Sequence, residues 1–135
     1  MRVQRVAVLI ISLLMLVGFS THFEIEVLQR DAFVYFKFGH VNNLVLGTRQ
    51  VEVNTLLVAS KTPNGWDYKH PLWEIGLDPG ASLPVEKIKY GQVPTGFKEI
   101  RKASVLIEGQ TYRVTATGPG SSGFADFIVS KNLPR

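Results

Sequence analysis

The 135-residue chain contains no cysteine, which excludes disulfide scaffolds, thiolate zinc sites, cysteine nucleophiles, iron–sulfur centres and a lipid-modified amino-terminal cysteine. Histidine is scarce. His22, His40 and His70 stand far apart, and a metal site or a catalytic base would need two of them to converge with a carboxylate. Proline is missing from the first 62 residues, and no internal repeat or low-complexity tail is present. What is there suffices for one domain: 45% hydrophobic residues support a buried core and exclude intrinsic disorder, while the length excludes a multidomain enzyme.

A long apolar run occurs once. Residues 6–19 are interrupted only by Ser12 and Gly18 and follow the basic residues Arg2 and Arg5. Fourteen residues fall short of the roughly 20 a membrane span requires. Residues 1–20 therefore read as a signal peptide, one hydrophobic helix, with the small residues Gly18 and Ser20 before a cut that leaves Thr21 first. The alternative is an uncleaved membrane anchor that draws on Val3 and on residues as far as Phe23. Either way residues 21–135 form a single exported domain, periplasmic or secreted, which meets a membrane only through residues 1–20 if these are retained. Without them 13 basic residues face 11 acidic ones, and the net charge falls from +4 to +2. Nucleic acid is not implied.

Helical periodicity is weak after residue 20, whereas short alternating segments rich in Val, Ile, Phe, Tyr and Thr are bounded by Gly, Pro and Asn. Phe23, Ile25 and Val27 predict one strand and residues 32–38 a second, with Gln29 to Asp31 as the turn between them. A brief edge strand is expected at 44–46. Residues 51–60 form a longer strand, apolar on both faces in its second half, as when a strand changes partner or is covered twice. Trp73, Ile75 and Leu77 alternate and bury the indole; Asp78, Pro79 and Gly80 make a turn. Ile88 and Tyr90 point inward from a strand whose outward face carries Lys87 and Lys89. The pattern breaks over 92–102, a loop pinned by Phe97. Val105 and Ile107 form a short run, Tyr112, Val114 and Ala116 alternate with Thr and Arg, and 124–130 makes a last strand. About seven short strands predict a mainly β fold, an antiparallel β-sandwich.

Leu106, Gly109, Tyr112, Val114 and Ala116 reproduce the spacing L-x-x-G-x-x-Y-x-V-x-A. Over residues 105–130 the chain thereby resembles fibronectin type III and related immunoglobulin-like domains. That resemblance implies that the Tyr112 hydroxyl bonds back to the preceding turn, and it implies no activity. Trp73 departs from it, falling too late for the usual core tryptophan. In plan the chain is also similar to small signal-bearing bacterial proteins, which implies a compartment and no mechanism.

Residues 118–123 satisfy G-x-G-x-x-G, but a strand follows where the dinucleotide fingerprint needs a helix, and Pro119 removes one N–H. A hairpin loop is the reading. Trp66, Asp67, Tyr68, Lys69 and His70 are the densest mixed cluster, in the longest polar stretch. Two roles are open to it: Trp66 and Tyr68 close one end of the sandwich as a lid, or Trp66, Asp67, Tyr68 and His70, with Phe97 in the second loop, bind a protein or a glycan. Lys87, Lys89, Lys98, Arg101 and Lys102 make a basic stretch around Phe97, read as a solvated face, with contact to anionic glycans, lipid headgroups or an acidic partner as the alternative. Phe33, Tyr35 and Lys37 suggest a stacking platform, but a second sheet is expected to bury those rings. No serine has a nucleophile-elbow context. The expectation is an exported, non-catalytic structural or protein-interaction module of the envelope or extracellular space, without cofactor or metal, its partner an envelope protein or a glycan. A carbohydrate-binding module using Trp66 and Tyr68 is the first alternative, and a small hydrolase is a second.

Overall fold

The computed structural model describes residues 21–43 and 47–130. The expected signal helix, and the edge strand expected at 44–46, lie outside the described residues. Within them the fold is all β, with no helix, and hence no helix long and apolar enough to cross a membrane.

β1 (Thr21–His22) is followed by β2 (Ile25–Arg30) and β3 (Phe33–Phe38), an antiparallel hairpin closed by the pair Arg30↔Phe33. Its turn is Asp31 and Ala32, at φ 50° and 72°. Two consecutive positive φ values give the tight turn whose twist matches paired strands. β4 (His40–Asn43) pairs with β5 (Gly47–Gln50). β6 (Glu52–Val53) and β7 (Thr55–Thr62) divide the expected 51–60 strand at Asn54. There the side-chain amide donates to the carbonyls of Asp78 and Ala81, which anchors the break. The change of partner is real: β6 pairs with β10 (Leu83–Pro84), and β7 with β8 (Gly65–Trp66), β9 (Trp73–Gly76) and β13 (Thr111–Gly118).

β11 (Lys87–Lys89) joins β3 to complete a small sheet, β11-β3-β2. The large sheet runs β1-β14-β13-β7-β9-β12, with β12 (Lys98–Arg101) and β14 (Ser121–Ile128). All its pairings are antiparallel except β1 with β14, which is parallel. β12 occupies residues expected as loop, because four exposed and mostly polar residues carry no alternating apolar signal. Val105 and Ile107 are not a strand; both are exposed, on an irregular segment that leads through a turn at 108–109 into β13.

Alternation decides what the sheets bury. Tyr112, Val114 and Ala116 of β13, Leu56 and Val58 of β7 and Trp73 and Ile75 of β9 meet Ile25, Val34, Phe36 and Ile88 of the small sheet in one core. Phe127 of β14 sits between the layers, edge-on to Phe36 and stacked at a tilt on Tyr112. This layering is compatible with a β-sandwich. Two glycines permit close approach: a Cβ on Gly118 would run into the Glu52 carbonyl, and one on Gly123 into the Phe23 backbone and ring. The glycine-rich 118–123 segment is therefore mostly strand, with only Pro119 and Gly120 forming the turn.

Candidate functional site

The β7–β8 hairpin sets Trp66 opposite Lys61. Lys61 shares a face of β7 with Ala59 and Leu57, the face turned away from the core, so Trp66 extends over the outward side of the large sheet. Ala59 is fully buried and yet stands outside the core cluster, which shows that this side is covered locally. Opposite Ala59 on β13 stands Arg113. Its guanidinium carbon lies 4.6 Å from the centre of the Trp66 ring and 4.3 Å from that of Phe124, a cation held between two aromatics. Arg113 also donates from Nε and Nη2 to the two oxygens of Asp126, at 2.6 and 3.0 Å. That pair follows from the register Arg113↔Asp126, which the Pro119–Gly120 turn fixes. The Asp126 hydrogen bonds, aided by Tyr68, push the guanidinium pKa further up, so Arg113 is a permanent charge.

Around this stack the surface is apolar and open. Phe124 and Ile128 are each 59% exposed, and Tyr68 is 48% exposed. Thr115, between Leu57 and Phe124 in the ladder, has a buried hydroxyl without a hydrogen-bond partner among the described residues. The expected lid is thus a flank. Trp66 and Tyr68 lie along the face of the sheet, because the turn at 63–64 folds β8 back on β7.

Asp67 and His70 are joined, but by turn geometry. Asp67 Oδ1 accepts from the His70 backbone N–H at 3.2 Å and faces His70 Nδ1 at 3.3 Å, with the histidine side chain 72% exposed. An exposed pair gains little from desolvation. Among the described residues no three His, Asp or Glu side chains gather to hold a metal. Phe97 is not beside this cluster: it is buried in the core, packed inward from the 94–97 turn, and presents no ring face to a ligand.

The residues read as structural lie elsewhere. The Trp73 indole is fully buried, edge-on to Tyr90, and its N–H donates to Glu99 Oε2 at 3.1 Å. The Tyr112 hydroxyl accepts from the Ile107 backbone N–H at 2.9 Å, five residues upstream. Gly109, at φ 77°, shapes the intervening turn, and Leu106 packs against the core. Sequence reasoning missed Arg113, Phe124 and Asp126 as members of the cluster. The signal existed, since Arg113 is the one charge among the outward residues of β13, but its partners become visible only once the hairpin register is known. Compared with models of protein families, with curated proteins and with solved structures, the chain matches none.

Proposed function

We propose that the domain is an exported, non-catalytic interaction module that binds another protein of the envelope or extracellular space through the outward face of its large sheet. The observation that carries this reading is the Trp66–Arg113–Phe124 stack. Tryptophan, tyrosine and arginine dominate the energetics of protein interfaces, and here Arg113 is already immobilised by two rings and a carboxylate, so binding would forfeit little side-chain freedom. The glycan alternative loses ground because the guanidinium already lies over the Trp66 ring. The exposed Asp67–His70 pair lends the hydrolase reading no support.

The fibronectin type III or immunoglobulin-like identity belongs to the same proposal. It is supported by the strand order β9-β7-β13-β14 opposite β11-β3-β2, which parallels the division of such domains into two Greek-key sheets, and by the Tyr112 to Ile107 hydrogen bond. Trp73 on β9 remains a departure.

The test is photocrosslinking in the native envelope from position 124, with the protein produced from the full-length sequence. The expected result is a discrete protein adduct, reduced about tenfold or more by Arg113→Ala. Adducts to lipid alone would overturn the reading. So would a glycan-array signal that Trp66→Ala abolishes in a folded protein, which would instead favour the carbohydrate alternative.

A further inference from the structure

The outward face of the small sheet is built differently. Across β2-β3-β11 its rows are Glu26, Lys37 and Lys87, then Leu28, Tyr35 and Lys89, then Arg30 and Phe33. The expectation that a second sheet buries Phe33 and Tyr35 fails: Phe33 is 42% exposed, and lysines cover the rings instead. Lys89 Nζ stands 3.6 Å from the centre of the Phe33 ring, and Lys87 Nζ 4.6 Å from that of Tyr35. Both lysines lean one row toward the β2–β3 turn.

For Lys87 the lean leads away from Lys37. Lys37 and Lys87 are direct cross-strand partners, an arrangement of like charges that weakens a sheet. No carboxylate lies within 4.0 Å of the Lys87 or Lys89 ammonium groups among the described residues. The basic stretch seen in the sequence is also divided here, since Lys98 pairs with Asp78 and belongs, with Arg101, to the large sheet. Beside the two lysines lies an open cleft of about 390 Å³, lined by Tyr35, Lys87, Lys89, Gln92, Pro94 and Thr95, with no acidic residue on its walls. The volume suits a small ligand.

We propose that this cleft binds an acidic sugar, a uronate or sulfated unit of an anionic glycan. Lys87 and Lys89 supply point charges that meet a carboxylate or sulfate from several angles, and the Gln92 amide and Thr95 hydroxyl line the same cleft as donors and acceptors for sugar hydroxyls. Neither lysine has a carboxylate partner among the described residues, and a bound anion would supply one. The site lies on the other sheet from the Trp66 stack, so it stands or falls separately from the interaction reading above.

The experiment titrates tetragalacturonate, and separately its neutral methyl ester, into protein produced from the full-length sequence, by calorimetry and amide chemical shifts. Tetragalacturonate should bind with shifts centred on Lys87, Lys89 and Gln92, the ester more than about tenfold more weakly. Lys87→Met with Lys89→Met keeps apolar stems over the rings and should lose a similar factor. The double arginine variant should restore binding, and Trp66→Ala should leave it intact. Inorganic phosphate and vesicles of phosphatidylglycerol in phosphatidylcholine are the other arms. Equal binding of the ester to the unaltered protein overturns the proposal. So does tighter association with the anionic vesicles or with phosphate through the same lysines.

Discussion

Tyr90 is half-buried with its ring edge-on to Trp73, and its hydroxyl donates to the Ser104 carbonyl at 2.6 Å. Burial pushes the phenol pKa well above its ordinary value of 10, with Tyr112 adding to the effect, because a phenolate there would lose its hydration. The unfolded chain therefore releases this proton first. Below pH 10 the contribution to stability is complete; as pH rises beyond that, the folded state alone retains the proton and stability declines. Urea midpoints measured from pH 8 to about pH 11 should fall at the alkaline end in the unaltered protein. Tyr90→Phe should flatten that decline while costing about 1 kcal/mol at neutral pH for the lost hydrogen bond. A slope unchanged by the substitution would show that another group governs the alkaline limit.

Among the strands, what could be read in advance tracks how one-sided the burial is. β13 was plain because Tyr112, Val114 and Ala116 face the core while Thr and Arg face outward. β12 was invisible, since all four of its residues are exposed and its place comes from pairing with β9 and from the Trp73 to Glu99 hydrogen bond. β3 misled in another way: its two aromatic-rich faces suggested burial on both sides, whereas lysines from β11 shield the outer one. The β2–β3 turn also starts two residues later and ends one residue later than expected, because Ala32 takes a left-handed conformation. An alanine there costs about 1 kcal/mol relative to glycine. Ala32→Gly should accordingly raise the stability of the protein by roughly 0.5 kcal/mol after the extra chain entropy of glycine is set against it, read as a shift in the urea midpoint.

For the molecule as a unit, the two sheets are joined by more than the shared core. The Gln29 side chain on β2 donates to the Ile128 carbonyl at 2.9 Å and accepts from the Ser130 N–H at 2.8 Å, so one amide serves as an extra rung between the layers. Nothing in the local pattern around Gln29 announces this, because its partners are about a hundred residues away. The candidate binding face was half readable for the same reason. Trp66 and Tyr68 stood out as loop aromatics, but the cation between Trp66 and Phe124 required the pairings of β7, β13 and β14. Gln29→Ala should cost about 1 kcal/mol, since both bonds are solvent-exposed.

The parallel contact of β1 with β14 bears on time. Thr21 pairs with Ser121, and the Gln29 rung spans a similar distance along the chain, so both closures wait until nearly all of residues 21–130 are available. Contacts so far apart in sequence form late and slow the search for the native state. Losing them should then act on escape from the folded state more than on entry to it. In stopped-flow experiments Gln29→Ala is expected to steepen the loss of structure, raising the unfolding rate about fivefold while the refolding rate stays within a factor of about two.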